Sequence, residues 1–132
     1  MTKRRTDMHL TELTKALKKT DEIEITVTGR ESGRKISNPV WFVQEDEKLY
    51  LLPVKGSDSD WYKNILKTRT MRLNADGKEW TAEVTPITDQ AKVRDIVEMF
   101  KRKYGADQVK KYYSKFDVAV EVPLAEAHRR SA

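Results

Sequence analysis

The chain contains no cysteine, and only two of its residues are histidine, His9 and His128, one near each end. The first absence excludes disulfides, thiolate nucleophiles and cysteine-ligated zinc. The scarcity of histidine argues against a histidine-rich metal site and against a Ser-His-Asp triad, which needs a positioned base. No metal site is expected. No apolar run approaches the roughly 20 residues needed to cross a bilayer. The basic start Met1-Thr2-Lys3-Arg4-Arg5 is not followed by the apolar stretch of a secretory signal. No membrane partner is expected, and the cytoplasm is the default compartment. The Walker loop, the glycine fingerprint of dinucleotide-binding folds and the HExxH zinc motif are all missing. Paired carboxylates occur only in charge runs such as Glu45-Asp46-Glu47, which read as solvated turns. No side chain stands out as catalytic, so an enzyme built on this chain would need a cofactor that brings its own reactivity.

What is present is a patterned, highly charged sequence. Its 132 residues are 38% hydrophobic and 36% charged, with a net charge of +5. This length suits one domain spanning residues 1–132, with a core from about 20 to 124 and flexible ends at 1–6 and 125–132. The positive excess favours anionic partners without choosing among nucleic acid, phosphorylated cofactors and acidic metabolites. Because acids and bases alternate along the chain, a mixed solvated surface is the plainer reading.

Leu10, Leu13 and Leu17 recur at helical spacing, predicting an amphipathic helix from Asp7 to about Thr20. From Glu22 to Thr28 the pattern alternates, with Ile23, Ile25 and Val27 on one face, and predicts a half-buried strand. A second strand is predicted from Lys35 to Gln44, at a sheet edge or bulged because Pro39 lacks an N–H. Leu49 to Leu52 reads as a short buried strand. Thr70 to Asn74 and Lys78 to Thr85 form a hairpin across Asp76-Gly77. Phe116 to Val122 is the last strand. Helices are predicted after Asp60, after Thr88 or Asp89 with a terminal glycine at Gly105, and from about Ala106 to Ser114. Six short, mainly antiparallel strands joined by tight turns tend to close. The fold class is therefore α+β, a six-stranded mainly antiparallel split β-barrel with flanking helices.

Two loops suit an anion. Gly29 and Gly33 let backbone N–H groups approach a phosphate, and Arg30, Arg34 and Lys35 supply charge. The alternative is an ordinary charged hairpin turn. Lys55-Gly56-Ser57 stands before a predicted helix N-terminus, as phosphate sites often do. Asp58 and Asp60 share that end, however, and Ser57 with Asp60 resembles a capping box. Trp41, Tyr50, Trp61, Tyr62 and Trp80 could line a flat wall or fill the core. Trp80 and Phe42 read as core, while Trp61 and Tyr62 read as more open.

Thr28-Gly29-Arg30-Glu31-Ser32-Gly33-Arg34-Lys35 followed by Asn38-Pro39-Val40-Trp41-Phe42 resembles the TGRxSGxxxxxPxWF segment of a known family. The family is the FMN-binding split-barrel superfamily, including deazaflavin (F-420)-dependent nitroreductase-like and pyridoxamine phosphate oxidase-like proteins. Leu49-Tyr50-Leu51-Leu52, Lys55-Gly56-Ser57, Trp61-Tyr62-Lys63-Asn64-Ile65 and Phe100-Lys101-Arg102-Lys103-Tyr104-Gly105 are similar to segments that follow in it. The likeness spans about residues 20 to 124, and order and spacing carry it rather than any one motif. It implies a split barrel, usually a homodimer, binding FMN or the deazaflavin coenzyme F-420 in a groove on the barrel. Carried over, the phosphate would be held by Arg34, Lys35, Ser37 and Asn38 with Lys55, Gly56 and Ser57; Trp61 and Asn64 would close over the cofactor. Arg30 joins this set through the first loop. Asp58, Ser59 and Asp60 make the second loop more acidic than the family pattern.

The function expected from this resemblance is a flavin- or deazaflavin-dependent oxidoreductase acting on a small-molecule substrate. The alternatives are a non-catalytic flavin-binding or storage module and, less favoured, a nucleic-acid-binding barrel using Lys3-Arg4-Arg5 and surface tyrosines Tyr112 and Tyr113.

Overall fold

In a computed structural model, residues 12–124 are described. The predicted flexible ends, His9, His128 and Leu10 lie outside them. Residues 12–18 form helix α1, which buries Leu13 and Leu17 and exposes Lys15 and Lys18, as the leucine spacing requires.

Among the described residues the strands number eight rather than six: β1 (Ile23–Thr28), β2 (Lys35–Val40), β3 (Val43–Glu45), β4 (Lys48–Leu51), β5 (Thr70–Ala75), β6 (Lys78–Glu83), β7 (Thr85–Ile87) and β8 (Ala119–Pro123). They form two four-stranded sheets, ordered β2-β1-β5-β6 and β3-β4-β8-β7, and every pairing is antiparallel. Two expected strands are each divided where the chain crosses from one sheet to the other. Lys35 to Gln44 breaks at Trp41-Phe42, and Lys78 to Thr85 breaks at Val84.

The first break has a chemical cause. The backbone of Phe42 pairs with side chains instead of a neighbouring strand: its N–H donates to the Tyr104 hydroxyl at 3.1 Å, and its carbonyl accepts from Lys103 Nζ at 2.8 Å. A backbone group satisfied this way has no need of a ladder partner. At the second break the Val84 N–H donates to the Arg69 carbonyl at 2.8 Å, outside either ladder.

Helices α2 (Asp60–Lys67), α3 (Gln90–Tyr104) and α4 (Ala106–Tyr112) complete the α+β architecture. Asp89 caps α3 by accepting from the Lys92 N–H, and Gly105 ends it at φ 97°. In the β5–β6 hairpin, Asp76 and Gly77 both have positive φ, 52° and 83°, the geometry that matches strand twist. β2 is an edge strand, so Pro39 is tolerated there.

Strand periodicity builds two cores on opposite sides of the second sheet. Leu49 and Leu51 of β4 with Val120 and Val122 of β8 join Ile23, Ile25, Val27, Leu73 and Trp80 inside the barrel. Their alternates, Tyr50, Leu52 and Ala119, pack outward against Val93, Ile96, Val97 and Phe100 of α3 and Val109 of α4. A strand buried on both faces reads as a continuous apolar run, which is why Leu49 to Leu52 shows no polar alternation.

Candidate functional site

The edge of the first sheet, the segment after β4, the start of α2 and α4 line an open cavity of about 680 Å³. Its floor comes from the edge of the first sheet, Asn38, Pro39 and Val40, and from the corner residue Trp41. One wall is the loop before α2 with its first turn, including Lys55, Ser59 and Trp61. The opposite wall is α4, through Gln108, Tyr112 and Tyr113. The volume is typical of a small-ligand site, and the lining is mixed, with the carboxylates Glu22, Asp58 and Asp60 beside the aromatic side chains.

Trp41 is the centre of an aromatic cluster. Its ring stacks on Tyr104 at 4.2 Å between centroids and 8° between planes. Tyr112 meets it edge-on at 5.5 Å, and Tyr113 lies tilted at 6.0 Å. Tyr104 is fixed in turn, because its hydroxyl lies 2.7 Å from the Asp21 carbonyl and 2.9 Å from that of Phe42. Burial raises its pKa to about 12. Burial also pushes the Tyr113 phenol well above its ordinary value. Both stay neutral hydrogen-bonding groups at physiological pH. Lys103 sits 3.5 Å from the centre of the Phe42 ring, and desolvation lowers its pKa to about 8.

Trp41 lines the cavity, as its place in a flat wall requires, and among the ten residues expected to hold the cofactor, Asn38, Lys55 and Trp61 line it too. The others lie outside its lining and have partners or positions of their own. Arg30 and Asn64 are bonded to one another: the buried Asn64 Oδ1 accepts from the Arg30 backbone N–H at 3.0 Å and from Nη1 at 2.8 Å. Arg30 also pairs with Asp60 at 3.5 Å, so it fastens the β1–β2 loop to α2. Lys35 Nζ donates to Thr28 Oγ1 at 3.0 Å, and the Ser37 and Thr26 hydroxyls bond at 2.9 Å. Arg34 is exposed. Strand pleating separates Ser37 from Asn38, because neighbours on β2 point to opposite faces. Asn38 stands opposite the buried Ile25 and faces inward; Ser37 stands opposite Thr26 and faces out.

Ser57 already holds an anion, the carboxylate of Asp117, while the Gly56 N–H donates to the Pro53 carbonyl at 3.0 Å. The Ser57 N–H donates to Oδ1 at 3.0 Å and its hydroxyl to Oδ2 at 2.5 Å. Lys115 bridges Asp117 at 3.7 Å and Asp58 at 3.2 Å. The expected capping box between Ser57 and Asp60 does not form, because the Ser57 hydroxyl is taken. Ser59 is the N-cap residue of α2, and its hydroxyl accepts from the Lys55 N–H at 2.8 Å.

Trp61 and Tyr62 are buried rather than open, at 8% and 3% exposure, because α2 turns this face onto the barrel. Tyr50, Tyr62 and Trp80 are core residues. Tyr113 is buried too, which leaves Tyr112 alone as a surface tyrosine of that pair. Sequence reasoning passed over Gln108, Tyr112 and Val54 as cavity walls. The adjacent tyrosines after a helix were the available signal, but nothing local says that α4 folds back over the β2–β3 corner. Among the described residues no group of His, Asp or Glu is arranged to hold a metal ion, and no helix is long and apolar enough to cross a membrane.

A family profile described as "Uncharacterized protein conserved in bacteria (DUF2255)" matches residues 12–122. No match was found among curated proteins. Solved structures of the FMN-binding split-barrel superfamily share the fold. The heme storage protein HutZ from Vibrio cholerae matches with a TM-score of 0.66 at 10% identity, over 86% of this chain and 87% of that one. An F420-H2-dependent reductase matches with a TM-score of 0.59 at 19% identity, over 77% and 93%. A chain described as a domain-swapped dimer matches with a TM-score of 0.60 at 18% identity, over 89% and 98%.

Proposed function

The chain belongs to the DUF2255 family of proteins conserved in bacteria, and we propose that its cavity takes a flat flavin-type cofactor, FMN or F-420, for the oxidation or reduction of a small-molecule substrate. The observation that carries this reading is the aromatic wall of Trp41, Trp61 and Tyr112 around an open cavity of about 680 Å³ in a split-barrel fold. Its likeness to an F420-H2-dependent reductase and the order and spacing of residues from Thr28 to Phe42 add to it.

The residues fit such a group. Flat rings stack favourably on indole and phenol faces. The amides of Asn38 and Gln108 line the cavity and make no side-chain hydrogen bond to another described residue, so each offers a donor and an acceptor to a ring edge. When bound, the cofactor supplies the hydride or electron chemistry. Trp41, Trp61 and Tyr112 would hold the ring, and Asn38 and Gln108 would orient its edge. Hydride transfer by a cofactor needs no side-chain acid or base of its own, in keeping with a cavity where burial keeps the Tyr113 phenol neutral. A homodimer in the cytoplasm is part of this reading, supported by the resemblance and by the domain-swapped relative.

The test is the visible absorption spectrum of concentrated protein purified from its native host, followed by titration of apo-protein with FMN and with F-420. A flavin or deazaflavin band, or saturable uptake of either compound, supports the reading. A colourless protein that takes up neither overturns it. Reoxidation of the bound, reduced cofactor by an added acceptor separates an oxidoreductase from a storage module.

A further inference from the structure

We infer that Tyr113 and Trp61 decide which ring the cavity accepts: their O–H and N–H groups donate to carbonyl oxygens on the edge of the ligand, so the site selects a carbonyl-bearing heterocycle over a planar ring without carbonyls. This inference rests on the ring-binding reading above and names the feature of the ring that the chain reads.

The argument begins with two unpaired donors. Tyr113 and Trp61 both line the cavity and are only 6% and 8% exposed. Neither the Tyr113 hydroxyl nor Trp61 Nε1 makes a hydrogen bond to another described residue. The polar groups around them are paired. The Ser59 hydroxyl accepts from the Lys55 N–H, and the Tyr104 hydroxyl is held by backbone carbonyls. The lining carboxylates take neither donor; Asp58 pairs with Lys115 at 3.2 Å and Asp60 with Arg30 at 3.5 Å. Among the described residues, Trp80 Nε1 is the one side-chain polar atom that is fully enclosed without a partner. The Tyr113 and Trp61 donors are therefore not sealed in the core, and the open space beside both rings is the cavity. A buried donor left unmet is costly, and a few fixed polar groups in a pocket wall are what orient a ligand.

Tyr113 is also held still. Its N–H donates to the Val109 carbonyl at 3.0 Å where α4 ends, and the next N–H, of Ser114, donates to the Val54 carbonyl at 2.9 Å. Its ring meets Phe100 edge-on at 6.0 Å and stacks with Phe116 at 6.2 Å. A donor fixed by its surroundings discriminates between ligands better than a mobile one. Burial keeps the phenol protonated, and an indole N–H can only donate. The complementary group is an acceptor. A ring carbonyl offers its lone pairs in the ring plane, outward from the edge. A tricycle without carbonyls would expel cavity water and leave the two donors unmet, and the penalty falls on that complex.

The experiment varies the ring edge and the donor together. Full-length protein is titrated with FMN and F-420, and with two bare tricycles: lumichrome, which carries ring carbonyls, and neutral acridine, which carries none. The expected result is a preference for lumichrome over acridine of roughly tenfold. Tyr113→Phe and Trp61→Phe each weaken FMN and lumichrome by about threefold to tenfold and leave acridine unchanged, which a general loosening of the wall would not do. The thermal midpoint of Tyr113→Phe does not fall, because the hydroxyl removed is unbonded in the free protein. Tyr62→Phe is the control: it removes another unbonded hydroxyl from a buried ring, 3% exposed, outside the lining, and leaves every affinity unchanged. Acridine bound as tightly as lumichrome by the unaltered protein overturns the inference while the ring-binding reading stands, and that comparison needs no variant to fold. Unchanged FMN affinity in Tyr113→Phe, or an equal loss in Tyr62→Phe, overturns it as well. If FMN, F-420 and lumichrome all fail to bind, the ring-binding reading falls and this inference falls with it.

Discussion

Asp117 lies 60 positions from Ser57 in sequence, yet its carboxylate takes both the Ser57 amide and the Ser57 hydroxyl. The contact ties the start of the last strand segment to the loop that forms one wall of the cavity. Partial desolvation works to raise the Asp117 pKa, but the Ser57 hydroxyl and amide with the Lys115 ammonium outweigh it and hold the pKa below the ordinary carboxylate value. A carboxyl lowered in the folded state contributes stability above its unfolded pKa, and that contribution is lost as pH falls through the folded value. Asp117→Ala is therefore expected to destabilise the protein by about 1–3 kcal/mol at neutral pH, the cost of leaving the Ser57 donors unmet. The difference between wild type and variant should shrink below about pH 4 as the wild-type carboxyl protonates. Urea unfolding at pH 7 and at pH 3 measures both; a constant difference across that range would contradict the assignment.

Gly56 makes a second, separable prediction. It has φ +56°, and a Cβ there would collide with the Asp117 carboxylate and press on Lys115. Gly77 also has positive φ, +83°, but a Cβ there would meet nothing within 4 Å. Gly77→Ala should cost only the backbone term, about 1–2 kcal/mol. Gly56→Ala should cost at least about 1 kcal/mol more. The excess should fall when Asp117→Ala is added, since the colliding group is then gone. A double-mutant cycle by chemical denaturation reads that coupling directly, and additive effects would refute the collision.

These two residues also show where sequence stops being informative. The glycine in Lys55-Gly56-Ser57 was legible as a place for an anion, because the local pattern of cation, glycine and hydroxyl says so. That the anion comes from Asp117 was not legible, because the pairing is set by how the last strand returns beside β4. The periodic parts were plain for the same reason in reverse. Ile23, Ile25 and Val27 declare their strand by alternation, and Asp76-Gly77 declares its turn by backbone chemistry, both within a few residues. The division of two strands at Trp41-Phe42 and Val84 was not legible, because the apolar residues Val40 to Val43 run through the first corner and Val84 continues the alternation of Trp80 and Ala82 at the second. Only the pairing of Phe42 with Lys103 and Tyr104 shows the first break. The cavity followed the same rule: Asn38, Lys55 and Trp61 lie in its lining, while its α4 wall depends on a long-range fold-back.

Lys103 gives a pH dependence of the same sign as Asp117, in a higher pH window. Burial lowers its pKa to about 8, against an unfolded value near 10.5. Between those values the unfolded chain binds the proton and the folded chain does not, so stability rises with pH. Tyr104, with its pKa raised to about 12, works the other way only above about pH 10, where the unfolded phenol begins to ionise. The Lys103 contribution should therefore appear as a rise in unfolding free energy between about pH 8 and pH 10. Lys103→Met keeps the aliphatic stem against Phe42 and removes the titrating group, so its profile should be flatter in that window. An unchanged slope in the variant would show that Lys103 is not the group responsible.

The cavity wall can be tested without disturbing the core, because Tyr112 is 50% exposed and yet meets Trp41 edge-on at 5.5 Å. Truncating an exposed side chain usually changes stability by no more than about 0.5 kcal/mol. An aromatic contact to a bound ring is worth about 0.5–1.5 kcal/mol, which corresponds to roughly threefold to tenfold in affinity. Tyr112→Ala is thus expected to weaken FMN or F-420 binding by that factor while the thermal midpoint stays close to wild type. Leu66→Ala is the matched comparison: Leu66 is a similarly exposed apolar residue, 46%, on α2 and outside the cavity lining. It should leave affinity unchanged. Fluorescence titration of the three proteins decides the matter. Equal affinities would mean that the ring does not lie against α4, and a parallel loss in Leu66→Ala would mean that the variants report a general loosening rather than a lost contact.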